Sequence, residues 1–122
     1  MGTLMHKFAE LKVYQKALLF TKLVRKTTKS FPKDDMFVLS SQFKRAADSI
    51  VLNIAEGAGN NSKKEFSRFL DYSIRSGFEC IGCSDIAHEN EFFNASTHKE
   101  IVGAVNEIIA MLDGLQKSIR RL

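Results

Sequence analysis

Asn53-Ile54-Ala55-Glu56-Gly57-Ala58-Gly59-Asn60-Asn61-Ser62-Lys63-Lys64-Glu65 is a stretch that ends one helix, turns and starts another. Gly57 and Gly59 suit the left-handed conformation that closes a helix C-terminus. Asn60 and Asn61 tolerate the same region and bond to nearby backbone. Ser62-x-x-Glu65 has the form of a capping box. The Ser62 hydroxyl accepts from the Glu65 amide, and the Glu65 carboxylate reaches back to the Ser62 amide. The pattern predicts one helix ending near 58 and another starting near 63. So short a link makes the two antiparallel neighbours.

Working upstream, Leu39, Phe43, Ala46, Ala47, Ile50 and Ile54 recur at helical spacing and predict a helix over about 41–58, with Ser40 as its N-cap. Val51, Leu52, Ala55 and Ala58 widen this stripe beyond one face. The helix is therefore expected to be buried on more than one side, by a central place in a bundle or by a subunit interface. Before it, Val13, Ala17, Phe20 and Val24, flanked by Tyr14 and Leu18, predict a helix over about 10–30. Lys12, Lys16, Lys22, Lys26, Lys29 and Lys33 fall on its opposite side. Phe31-Pro32 stops it, because the residue before proline avoids the α region. Asp34 and Asp35 are placed to cap a single turn in the connector.

Downstream, Phe66, Phe69, Leu70, Ile74, Phe78, Ile81 and Ile86 supply the core side of a helix over about 63–92. Gly77 and Gly82 lie inside it. Each costs about 1 kcal/mol relative to alanine, so close packing is the expected reason for both. Thr97-x-x-Glu100 is a second capping box, opening a helix over about 98–120 with the stripe Ile101, Val105, Ile108, Ile109, Leu112, Leu115 and Ile119. Four helices with short links predict an all-α, antiparallel up-down-up-down four-helix bundle as a single domain over 1–122.

Composition narrows the class. With 44% hydrophobic and 26% charged residues, the 122-residue chain reads as one ordinary globular domain. No apolar run approaches the roughly 20 residues that span a bilayer. The start, Met1-Gly2-Thr3-Leu4-Met5-His6-Lys7, lacks a signal peptide's apolar core, so a cytoplasmic location is expected. The net charge of +4 is unevenly spread: residues 1–33 hold eight Lys/Arg and one acid. A basic first quarter suits an anionic partner, and it equally suits a solvated lysine face.

The polar residues most open to a functional reading span the central hairpin. Arg45, Ser49, Asn53 and Glu56 follow helical spacing on one side of the turn, and Arg68, Tyr72, Arg75 and Glu79 on the other. A turn centred near 59–61 sets Asn53 opposite 67–68, Ser49 opposite Tyr72 and Arg45 opposite 75–76. A ladder of charge-assisted hydrogen bonds follows, fixing register or lining a subunit contact. The alternative is a set of surface ion pairs. A catalytic role for Glu56 or Glu79 needs a pocket that spacing does not show. Cys80-Ile81-Gly82-Cys83 lies within a helix, with no second pair and with His88 too loosely placed for zinc, so it reads as two buried thiols. His6 and His98 read as isolated. Lys44, Arg45, Lys63, Lys64 and Arg68 gather near the hairpin, and a helix N-terminus at Ser62-Lys63-Lys64 is suited to a phosphate. No cofactor or metal site is expected.

Ser41-Gln42-Phe43-Lys44-Arg45-Ala46-Ala47-Asp48-Ser49-Ile50, then Asn53-Ile54-Ala55-Glu56-Gly57, then Ser62-Lys63-Lys64-Glu65-Phe66 and Phe69-Leu70 resemble the four-helix-bundle family of 23S rRNA intervening-sequence proteins. Leu11-x-Val13-Tyr14-Gln15-Lys16-Ala17 and Phe31-Pro32 fit it too, so the match covers about residues 8–90. The resemblance implies a small bacterial protein, a ring-shaped homopentamer, and no established enzymatic activity. Some members carry ribosomal-protein names. A related branch, the accessory variability protein of diversity-generating retroelements, binds nucleic acid and a reverse transcriptase. The family's motif positions fall here on Arg45, Asn53, Glu56 and Gly57, with Ser76 and Glu79 fitting by pattern.

Three functions follow as expectations. The first is a non-enzymatic oligomeric bundle that binds structured RNA, its phosphates met by Lys12, Lys16, Lys22, Lys26, Lys44, Lys63, Lys64 and Arg68. The second is a scaffold that recruits a partner protein. The third is an enzyme using Arg45, Asn53, Glu56 and Glu79 at a subunit junction.

Overall fold

The computed structural model describes residues 11–121. Four long helices make up the fold: α1 (Lys12–Thr28), α2 (Leu39–Ala58), α3 (Lys63–Glu89) and α4 (Ala95–Arg120), with a single helical turn, Lys33–Met36, in the first connector. Each packs against its neighbour in the chain, α2 on α3 most extensively, and α1 closes the square against α4. This is the all-α four-helix arrangement expected from the periodicity. The predicted lead-in and Glu10 lie outside the described residues.

The core is built from one stripe per helix. Phe43, Ile50 and Ile54 of α2, Phe66 and Leu70 of α3, and Ile101, Ile108 and Leu112 of α4 are fully buried or nearly so. α1 adds Val13, Ala17, Phe20 and Val24. Phe31 folds under the far end, its ring 5.4 Å from Phe92 and 5.8 Å from Phe93. The breadth of α2's apolar surface has a plain cause within one chain: Val51 and Ala58 are buried because α2 lies between α1 and α3. Leu52 is not covered and stays 64% exposed.

Several local expectations are corrected. α2 starts at Leu39 behind Val38, which has no side-chain cap, and Ser40 is buried inside the first turn instead of capping it. α4 starts at Ala95, three residues earlier than expected, because Asn94 is the cap and its side chain accepts from the Thr97 amide at 2.9 Å. The Ser62 half of the first box forms as read, accepting from the Glu65 amide at 3.2 Å. The Glu65 carboxylate turns to Arg68. Phe78 and Ile86 are not core residues: they are 60% and 50% exposed. The buried arc of α3 instead runs through small side chains, Ser73, Gly77, Cys80, Ser84 and Ala87, which lets neighbouring helices come close. A Cβ on Gly77 would stand 3.0 Å from Ile109 Cγ1, whereas one on Gly82 would meet nothing within 4 Å.

The glycines of the central turn also act differently from the reading above. Among the described residues no glycine has a positive φ, and Gly59, the C-cap of α2, has φ −75°. Gly57 is buried within the last turn, where a Cβ would lie 2.7 Å from Phe69 Cβ. Its role is contact between helices, not chain reversal.

The left-handed position falls elsewhere. Just past the C-cap of α3, Asn90, Glu91 takes φ 61°. The Phe92 amide bonds to Ala87 O at 2.8 Å and the Glu91 amide to His88 O at 3.0 Å, the pair of bonds that defines a Schellman ending. A side chain in this region costs about 1 kcal/mol or more. Glu91→Gly is therefore expected to raise the unfolding free energy by about 1 kcal/mol in urea denaturation.

Candidate nucleic-acid interface

α1 turns its lysines outward because its apolar residues claim the opposite side. Lys12, Lys16, Lys22 and Lys26 are all exposed. Lys16 is paired with Glu107 of α4. Lys12, Lys22 and Lys26 form no ion pair among the described residues. Arg25 is held by Asp48 of α2 through two bonds of 2.8 Å, which raise the guanidinium pKa above its ordinary value. Both groups are substantially exposed, so the pair contributes about 0–1 kcal/mol.

A second group of cations collects at one end of the bundle. Antiparallel packing brings the last turns of α4 beside the first turns of α3. There Lys63, Lys64, Ser67, Arg68 and Asp71 face Ile119 and Arg120 across a hollow of about 400 Å³. Gln116 pins the two helices together, donating to Ser67 O at 2.8 Å and to Asp71 Oδ1 at 2.6 Å. Asp71 is thereby engaged, while Lys63, Lys64 and Arg120 have no ion pair among the described residues. The Ser62 cap fixes where α3 begins, and the dipole of α3 favours an anion beside its first turn. Sequence reading missed Arg120 and Gln116. The basic last turn of α4, Lys117 and Arg120, was the available signal, although Lys117 is bound to Asp113 at 3.0 Å.

Lys44, half-buried, and Arg45, exposed, lie away from this end. They line a shallow hollow of about 780 Å³ with Phe37, Ser49, Leu52 and Glu79. Phe37 and Val38 beside it are 86% and 65% exposed.

The hairpin ladder forms only in its middle. Asn53 Nδ2 donates to Ser49 O and Ser49 Oγ, both at 2.9 Å, and Ser76 Oγ donates to Ser49 Oγ at 2.9 Å. Ser73 adds a buried bond to Ile50 O. Ser49 thus meets Ser76, not Tyr72. Arg45 and Glu56 face outward without an ion pair among the described residues, and Glu79 is approached by Gln42 at 3.4 Å. Tyr72 accepts from Arg68 at 3.0 Å, and the Arg68 and Arg75 guanidiniums lie 5.5 and 5.7 Å from the centre of its ring. Glu65 holds the Arg68 charge and raises its pKa.

Cys80 and Cys83 are both buried. Burial, helped by the charge of Glu79, pushes the Cys83 thiol up to about 11. Burial raises Cys80 as well, with Cys83 and Glu79 adding to it. Neither is a nucleophile at neutral pH. His98 is not isolated: its ring stacks on His88 with centres 4.6 Å apart, Nδ1 lies 2.9 Å from Ser84 Oγ, and Nε2 lies 3.4 Å from Asp85. Ser84 is fully buried, so this Ser–His–Asp set clamps α3 to α4 and offers no attacking hydroxyl. Among the described residues no three His, Cys, Asp or Glu side chains converge as a metal site, and no helix is long and apolar enough to cross a membrane. His6 lies outside the described residues.

Comparison with known proteins places this geometry in context. A family model described as 23S rRNA-intervening sequence protein matches residues 9–114. Among solved structures, the fold is similar to that of a protein of unknown function from the S23 ribosomal protein family of Bacteroides thetaiotaomicron, with a TM-score of 0.80 and 24% identity over 86% of this chain and 98% of that one. No curated protein matches the chain.

Proposed function

Because the chain belongs to the 23S rRNA-intervening sequence protein family, we propose that it is a non-enzymatic, self-associating bundle of the cytoplasm that binds structured RNA through its cationic surface. The observation that carries this reading is the end of the bundle where Lys63, Lys64, Arg68 and Arg120 surround a hollow at the N-terminus of α3. Phosphates are anions that neutral pH never discharges, and helix N-termini with added lysines meet them well. The exposed lysines of α1 extend the positive field. Self-association is supported by Phe37, Val38, Leu52 and Leu18, large apolar side chains left uncovered on the α1–α2 side. The ring of five copies implied by the family resemblance is the assembly we propose. Those same apolar residues also favour the second reading, a scaffold for a partner protein.

The test is affinity for a structured RNA at about 50 and 200 mM salt, beside Lys63→Glu/Lys64→Glu. With about four phosphate contacts, affinity falls roughly 100-fold across that range. The double variant binds more weakly and with a shallower salt slope. Absence of binding at the lower salt overturns the RNA reading and leaves the scaffold.

A further inference from the structure

We propose that the outward face of α3 is a stacking platform for unpaired nucleotides, so that the RNA bound here is single-stranded along that face. This rests on the RNA reading above and narrows the class of RNA. Arg68, Tyr72, Arg75 and Phe78 follow one another at spacings of four, three and three along α3, on one side of the helix. Each presents a planar group. The Arg68 guanidinium is held in place by Glu65, at 3.2 and 2.5 Å, and donates to the Tyr72 hydroxyl at 3.0 Å. Its Cζ lies 5.5 Å from the Tyr72 ring centre and 5.4 Å from that of Phe69. Phe69 meets Tyr72 edge-on, with centres 5.6 Å apart at 89°. The ring and guanidinium orientations are therefore set before any ligand arrives.

Arg75 and Phe78 continue the line. Arg75 lies 5.7 Å from the Tyr72 ring and has no ion pair among the described residues. Phe78 leaves 60% of its surface exposed, so its ring is open to a ligand. From Arg68 to Phe78 the helix rises about 15 Å, room for on the order of four bases stacked at about 3.4 Å.

Arg68 also lines the cationic hollow with Lys63, Lys64 and Arg120. Phosphate contacts and planar faces are thus continuous. A duplex offers only its backbone to such a surface, since its bases are stacked inside. Unpaired bases can lie on aromatic rings and guanidinium planes.

The experiment compares a 12-nucleotide oligoadenylate with a blunt 12-base-pair RNA duplex at about 50 mM salt, using the full chain. Phe78 and Tyr72 are changed to Ala, and Tyr72 separately to Phe. The single strand is expected to bind on the order of tenfold tighter than the duplex. Phe78→Ala and Tyr72→Ala should each weaken single-strand binding on the order of tenfold, leaving duplex affinity and salt slope unchanged. Tyr72→Phe, which keeps the ring, should retain the preference. Phe78 is exposed, so its variant keeps the fold and carries the test if Tyr72→Ala does not. Equal binding of strand and duplex, or insensitivity to Phe78→Ala, overturns the platform while the RNA reading stands. Failure to bind either probe overturns both.

Discussion

Gly57→Val is expected to lower the unfolding free energy by about 3 kcal/mol, read as a shift of the urea midpoint with unchanged slope. The cause is steric and specific. The first atom of any side chain at this position would sit 2.7 Å from Phe69 Cβ, 3.1 Å from Phe66 Cδ1 and 3.3 Å from the Phe66 carbonyl oxygen. A Cβ and a carbonyl cannot rotate away, so α2 and α3, the most extensively packed pair of helices, must separate there. Gly59 supplies the contrast. It is exposed with φ −75°, and a Cβ there would meet Ala55 O at an ordinary 3.4 Å. Gly59→Ala should change stability by about 0.5 kcal/mol at most. Equal effects at the two glycines would mean that the hairpin opens freely and that close approach is not why Gly57 is there.

Phe43→Ala should cost about 3–5 kcal/mol and lower Tm by on the order of 15 °C. Phe43 is completely buried on α2, the helix packed against both α1 and α3, so removing its ring leaves a cavity in the core. Phe78→Ala removes the same ring from a position open to water and should fall within about 0.5 kcal/mol of the parent. Thermal unfolding followed by helix signal checks both. A small loss at Phe43 would show a core loose enough to refill the space.

These contrasts mark what could be read from the residues. Four stripes at helical spacing give the four helices, and Ser62 gives the start of α3 because its hydroxyl acts within three residues of itself. Local chemistry does not decide where two local solutions compete. Asn94 and Thr97 both suit a cap, and the earlier one is used: the Asn94 side chain takes the Thr97 amide, which leaves Thr97 inside the first turn. Gly57 was legible as a glycine with a purpose, but the purpose lies in Phe66 and Phe69 across the hairpin. Hydrophobicity alone places Phe78 in the core. The small residues that own that face, Ser73, Gly77 and Ser84, are weak signals in a periodicity count.

The site shows the same division. The lysines were visible as charges, and the end of the bundle that gathers them with Arg120 exists only once α4 has folded back. The hairpin register was displaced by about one turn, with Ser49 meeting Ser76 in place of Tyr72. Side chains lean toward the N-terminus of their own helix, so in an antiparallel pair the meeting point moves about two residues away from the turn. Ser76 is then the nearest hydroxyl on that face.

α1 is attached more thinly than the other helices. It buries five residues where α2 buries ten, and it touches α4 only lightly. Two of its lateral ties, Arg25 to Asp48 and Lys16 to Glu107, are solvent-exposed ion pairs. The bundle is therefore expected to open unevenly. In native-state amide exchange, α1 should open at a free energy below that of global unfolding, with the α2–α3 hairpin exchanging last. The lysine-bearing helix is thus the one most able to swing away from the body, carrying its positive charges with it, while the remaining three helices stay folded.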